Sequence, residues 1–305
     1  MLLFTPLQSQ GLAITPGIIL QILIGGLVVG ALWALVALGL NIIFGVMKVI
    51  NIAHGELLMF GAFGTYSLYE FFGIHPAIGM FLLVPVFFAA GVLIQWAVIE
   101  RVLESDNAEL MSLLVTFGLF LVLNNIGRAV FGVDSRGLQV APLNETVSLL
   151  GVNITISRIF AIVMAVITMI LLYYMMTQTE FGRAMRATVQ NPEMAEARGI
   201  NTRMVYFVAF GLSAVLAGLA GSMVSIIYSF SVSVGFGYLI FGFLVIVFGG
   251  MGNFTGALFG ALILGMIGSV GSFAIGPTAR NLILLSILVV TLFVKPTGVF
   301  GGARV

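Results

Sequence analysis

Few side chains in this chain could do chemistry, and the first group is Asn51-Ile-Ala-His54-Gly-Glu56 at the start of an apolar stretch. An imidazole and a carboxylate this close could exchange protons, ligate a metal or hydrogen-bond a polar solute. Metal ligation lacks a third ligand, because His75, the other histidine, is predicted at the opposite face of the membrane. Asn51 and His54, three apart, would share a helix face, with Glu56 turned from His54 by ~200°. A second group, Asn124, Asn125 and Arg128, falls near the far end of a later apolar stretch, where Arg128 can reach outward to the interface. Asn41 and Gln95 are single amides inside two others. Asn41, Asn51, His54, Glu56, Asn124 and Asn125 are therefore candidates to line a solute path. Capping helix starts and bonding neighbouring helices are equally open uses.

Covalent chemistry finds no support in the pattern. Gly211-Leu-Ser213-Ala-Val215 lacks the second glycine of a nucleophile elbow, and no HExxH zinc motif occurs. No GxxxxGK[ST] phosphate loop is present either, so ATP hydrolysis by that chemistry is not expected of this chain.

The third polar group is an island, Glu180 to Asn201, EFGRAMRATVQNPEMAEARGIN. It carries Glu180, Arg183, Arg186, Glu193, Glu196 and Arg198, with Arg203 just beyond, in a chain that is 61% hydrophobic and 8% charged. Its punctuation predicts two short helices: one from Glu180 to about 190, then a restart with Asn191 as cap and Pro192 in the first turn. Glu193 and Glu196 sit where a helix N-terminus favours anions, and Gly199 supplies a C-terminal stop. A plain cytoplasmic connector explains the arginines. It does not explain the small residues Ala184, Ala187, Ala195 and Ala197 or the paired breaks, which favour a rigid surface that docks a soluble partner.

The elements that must position these groups are membrane helices. Among 305 residues there are 26 Phe and 15 Met, with a mean hydropathy of +1.21, far from a soluble domain in which roughly a quarter of residues are charged. Apolar runs repeatedly reach the ~20 residues needed to cross a bilayer. Nine candidate spans fall near 18–46, 53–73, 77–100, 108–131, 157–177, 204–229, 236–250, 255–275 and 280–295. The seventh is short, and the pair across 236–275 could hold a re-entrant segment. The expectation is an all-α polytopic membrane protein of about 8–9 transmembrane helices, forming one domain over 1–305.

Alternating the spans puts Lys48, Arg101, Arg183, Arg186, Arg198, Arg203, Lys295 and Arg304 on one face, and only Arg128, Arg136, Arg158 and Arg280 on the other. The positive-inside rule makes the richer face cytoplasmic, with the N-terminus outside and the C-terminus inside. Loop 178–203 is then cytoplasmic and the turn-rich loop 132–156 external. No charge precedes Lys48, so no basic start of a signal peptide is visible. Net charge of +1 and the lack of a basic stripe exclude a nucleic-acid role, and zero cysteines exclude disulfides and thiol chemistry. Small residues recur at four-residue spacing in Gly26/Gly30, Ser213/Ala217/Gly221, Gly256/Gly260 and Ala257/Ala261/Gly265/Ser269, the stripe that lets helices approach closely. A faint echo links FGVM at 44–47 with FGGM at 248–251.

GRAMRATVQNPEMAEARGIN running into VAFGLSAVLAGLAGSM resembles the permease subunits of bacterial ABC importers of the branched-chain amino-acid family. ALWALVALGLNIIFGVMKVINIAHGELLMFGAF (31–63) is similar to the early signature of that family's H-type subunit, and VIVFGGMGNFTGALFGALILG (245–265) to its late glycine-rich segment. The likeness covers roughly 18–301, including KPTGVFG near the end. It implies a translocation subunit, not an enzyme, in the bacterial cytoplasmic (inner) membrane. Implied partners are separate ATP-binding cassette subunits that use ATP and magnesium, a homologous M-type permease and a periplasmic substrate-binding protein. No cofactor is expected on this chain. The resemblance makes Glu180, Gly182, Arg183, Arg186, Ala187, Asn191, Ala195, Gly199 and Ile200 the candidates for coupling to the ATPase, although Ala195…Gly199-Ile200 matches the EAA loop of other importers only loosely. Cargo would be branched-chain or other hydrophobic amino acids, with urea or short amides as the alternative. An ion-coupled secondary transporter is the competing class, and it would need charges deep in the bilayer.

Overall fold

Helix termini in this chain are set by a handful of residues with definite stereochemical jobs. The computed structural model describes residues 15–149 and 152–301, so expectations for the N-terminus before Thr15 and for Arg304 lie outside the described residues. Helix α1 (Pro16–Met47) starts on a proline in its first turn and stops at Lys48, which takes the left-handed conformation at φ 57°. After a turn come α2 (His54–Phe72), closed by left-handed Gly73, and α3 (Pro76–Ile94), whose start His75 caps by accepting from the Ala77 amide. A π-helical turn, Gln95–Ile99, joins α3 to α4 (Glu100–Leu103). Then follow α5 (Ala108–Phe131) and α6 (Ile156–Gln178), separated by a loop with one antiparallel hairpin. In that hairpin β1 (Thr146–Leu149) pairs with β2 (Val152–Thr155), from Thr146 opposite Thr155 to Leu149 opposite Val152. The extended pieces expected of this loop are real, and they make the chain mostly rather than wholly helical.

The remaining helices are α7 (Glu180–Gln190), α8 (Pro192–Ala197), α9 (Thr202–Ile227), α10 (Val234–Gly249), α11 (Phe254–Ala274) and α12 (Pro277–Val294). Asparagine recurs as the cap: Asn191 accepts from Met194, Asn201 from Met204 and Asn253 from Gly256. Each saves one otherwise orphaned first-turn amide.

Among the described residues seven helices are long and apolar enough to cross a membrane: α1, α3 with its extension to Leu103, α5, α6, α9, α11 and α12. Helix α10 is apolar but only 16 residues long. Its shortness has a cause. The extended stretch after α9 runs back along α2, with Phe230 against Phe63 and Tyr66, and Val232 beside Gly127. Helix α10 therefore begins part-way down the bundle, where Gly235 meets Gly55.

Burial separates the helices into two sets. Helices α1, α2 and α9 form the centre, whereas α3, α5, α6 and α12 turn apolar side chains such as Phe81, Leu114, Ile170 and Phe293 outward. That inverts a soluble protein and suits contact with acyl chains. The small-residue stripes make the central crossings. Gly265 lies so close to Gly26 and Gly30 that a Cβ there would stand 2.6 Å from the Gly26 carbonyl, and the Ser269 hydroxyl donates to Ile22 O at 2.7 Å. The α10–α11 turn also touches α1: Gly45 faces Gly252, whose amide donates to Asn41 Oδ1 at 2.6 Å.

Candidate functional site

One end of the bundle carries the polar island. Thr179 caps α7 by accepting from the Gly182 amide, a cap the sequence reading missed although Thr precedes the acidic first turn. Helix α7 presses Met185 and Thr188 inward against the ends of α1 and α9, and turns Arg183, Arg186 and Val189 out. Gly182 is buried because a Cβ would clash with the carbonyls of Met175 and Met176, so it closes the α6–α7 corner. Arg186 donates to the Met176 carbonyl, and Arg183 makes an exposed pair with Glu180 at 3.4 Å, a contact worth at most about 1 kcal/mol.

Helix α8 follows with its Asn191 cap and left-handed Gly199 at φ 82°, both as the sequence predicts. One expectation needs correction. Ala195 is 3% exposed, packed within the chain, and its carbonyl accepts from Ile200 N at 3.0 Å. It therefore builds the α8–α9 corner and is not offered to a partner. The apolar atoms presented outward are those of Met194, 61% exposed, and Val189. Ala187 and Ile200 are partly covered. Glu196 accepts from the Thr202 hydroxyl, which fastens the island to α9, and α9 is in turn tied to α4 by the pair of Arg203 with Glu100.

The second assembly is a buried polar seam. Asn51 lies in the turn before α2, not on the helix face the spacing suggested, and Ala53 is the N-cap without any side-chain cap bond. His54 is fully buried beside Gly39 of α1. Its Nδ1 lies 3.2 Å from the Ser213 hydroxyl, near the middle of the 26-residue α9. The other ring edge faces the α1 backbone at Val36 and Gly39, where a Cβ on Gly39 would stand 2.7 Å from the imidazole. Glu56 is buried too. Its carboxylate accepts from Asn124 Nδ2 at 3.2 and 3.3 Å, and Asn124 Oδ1 accepts from Arg128 Nε at 2.9 Å. The turn itself is held to α5, since Ile50 N donates to Ser112 Oγ and Ile52 N to Thr116 Oγ1.

The structure thus sets His54 against α1 and α9, and Glu56 against Asn124 of α5. Asn125 is exposed on another face and bonds Leu121 O, while Asn41 serves the α10–α11 turn. Gln95 is buried in the π turn. Sequence reasoning missed Ser213 as the partner of His54, although its place in a small-residue stripe was visible.

A third feature has no counterpart in the sequence reading. A cavity of about 430 Å³ lies at the end away from the island, between α1, α9, α10 and α12, with Trp33, Tyr228, Tyr238, Phe241 and Arg280 in its wall. A cavity of about 350 Å³ adjoins the island and is lined by Asn41, Tyr173, Met185 and Arg186.

Apolar spans around central helices with buried polar links, and a folded polar island at one end, define a multi-pass helical membrane protein. The family described as branched-chain amino acid transport system / permease component matches residues 22–293, and the chain belongs to it. It is 29% identical over 302 residues to the high-affinity branched-chain amino acid transport system permease protein BraD of Pseudomonas aeruginosa, covering 94% of this chain and 97% of that one. LivH, the corresponding permease protein of Escherichia coli K12, is 28% identical over 300 residues, covering 94% and 96%. The probable LivH of Methanocaldococcus jannaschii is 27% identical over 297 residues, covering 92% of each. No solved structure matches the chain.

Proposed function

We propose that this chain is the H-type membrane-spanning subunit of an ATP-driven, binding-protein-dependent importer of branched-chain or other hydrophobic amino acids. The observation that carries the reading is the family match over 22–293, with relatives named as branched-chain amino acid permeases aligned across more than nine-tenths of their length. The island supports it, because α7 and α8 are fastened to α1 and α9, the helices at the centre of the bundle. A push on such a platform reaches the buried seam directly.

In this reading the island end is cytoplasmic, the loop 132–156 external, and eight or nine helices cross a bacterial inner membrane as one domain. A pair of ATP-binding subunits supplies the energy, using ATP and magnesium that this chain does not itself bind. A homologous M-type permease completes the path, and a periplasmic binding protein delivers cargo. ATP binding draws the ATPases together, the island moves with them, and access to the seam alternates between the two faces.

Uptake of radiolabelled leucine into vesicles holding the chain with its partner subunits and binding protein tests this. The expected result is uptake that requires ATP inside the partners' compartment and is competed by isoleucine and valine, with no ATP turnover by this chain alone. Uptake driven by an ion gradient without ATP would overturn the class, and transport of urea in place of leucine would overturn the cargo.

A further inference from the structure

The cavity between α1, α9, α10 and α12 has the chemistry of a receptor for a small carboxylate with an apolar tail. Its floor is the stacked pair Trp33 and Phe241, with ring centroids 4.6 Å apart and planes at 16°. Tyr238 and Tyr228 complete an aromatic wall. Arg280 lies at the rim with its guanidinium 5.8 Å from the Phe241 ring centre, and its Nε donates to Asn281. No carboxylate lines the cavity, and among the described residues none forms a salt bridge with Arg280. The Tyr228 hydroxyl lies in the field of both Arg158 and Arg280. Helix α10 begins in the same wall without a side-chain cap, so its first turn adds positive potential. The volume falls within the ~300–1,000 Å³ of small-molecule sites. Gly237, also in the wall, has nothing within 4 Å of where a Cβ would stand, so free space meets the helix there.

We infer that this cavity is a cargo subsite for free amino acids, with Arg280 holding the α-carboxylate and the Trp33–Phe241–Tyr238 surface taking the branched side chain. The hydroxyls of Tyr228 and Ser233 and the aromatic faces receive the ammonium, which explains how a site without an acidic residue holds a zwitterion. The site lies at the end opposite the island, so it is the first station for cargo entering the bundle. This inference rests on the proposed amino-acid cargo.

The test uses a diazirine analogue of leucine in vesicles containing the full importer, with labelled peptides identified by mass spectrometry. Labelling is expected on peptides that hold Trp33 or Tyr238 and Phe241, and excess leucine should suppress it. Arg280→Gln and Gly237→Val should each lower it at least tenfold, with Arg280→Lys retaining part; all variants must first match wild type in assembly with the partner subunits. Label confined to other helices, or absent while leucine uptake proceeds, overturns the site. Label here that leucine does not compete marks a cavity filled by lipid and also overturns it. If the wild-type importer takes up no leucine at all, the cargo reading fails first and the subsite with it.

Discussion

At the scale of single residues, the seam is a chain of donors ending on one buried acid. Glu56 has two carboxylate oxygens to satisfy, and Asn124 faces both, with its own carbonyl oxygen bonded by Arg128. Replacing Asn124 with Leu keeps the branched shape but removes the donor and strands Glu56 in an apolar setting, at a cost of about 1–3 kcal/mol or more. We therefore expect Asn124→Leu to lower the melting temperature of the detergent-purified protein, and a second change, Glu56→Leu, to recover part of the loss. Equal melting temperatures for wild type and Asn124→Leu would show that the acid is satisfied elsewhere. His54 follows the same logic with a different neighbour: Gly39 is required because the ring occupies the space of a Cβ. The residues of this seam were legible as polar outliers in an apolar chain. Their pairing was not, because Glu56 and Asn124 are 68 positions apart and only the crossing of α2 and α5 brings them together.

At the scale of elements, the caps and stripes carried the information. The Asn191 cap, Pro192 start and Gly199 stop read directly from the sequence because each is a local stereochemical requirement. Small residues on α1 and α11 likewise announced close helix approach, though not its partner, and the structure packs the two stripes on each other through Gly26, Gly30 and Gly265. Gly265→Leu should prevent that approach, since the new side chain would meet α1 backbone, and we expect the variant to be lost from membranes or to aggregate in detergent. Normal yield and a monodisperse peak on size exclusion would contradict the packing. What the sequence concealed is direction of burial in short helices. On six residues of α8 the periodicity completes fewer than two turns, so nothing local told that Ala195 faces inward and Met194 outward. The short α10 was visible as an anomaly, but its cause lies in Phe230 and Val232 folding back along α2, a tertiary event.

At the scale of the whole molecule, the proposed function divides the bundle into an energy-receiving end and a cargo-receiving end. Sidedness is testable because the chain has no native cysteine. A cysteine at the exposed position of Gln190 should react with an impermeant maleimide only after the inner membrane is opened, whereas one at Asp134 should react in cells whose outer membrane alone is permeable. Reversed labelling would invert the proposed topology. In the proposed coupling, work done on the island reaches the buried helices, and this is tested most directly at Met194, whose side chain is exposed among the described residues. In vesicles with the full importer, the ratio of ATP hydrolysed to leucine taken up should rise at least tenfold for Met194→Asp while delivery by the binding protein is unchanged. A variant that retains the wild-type ratio would reduce the island to a connector and contradict the proposed coupling.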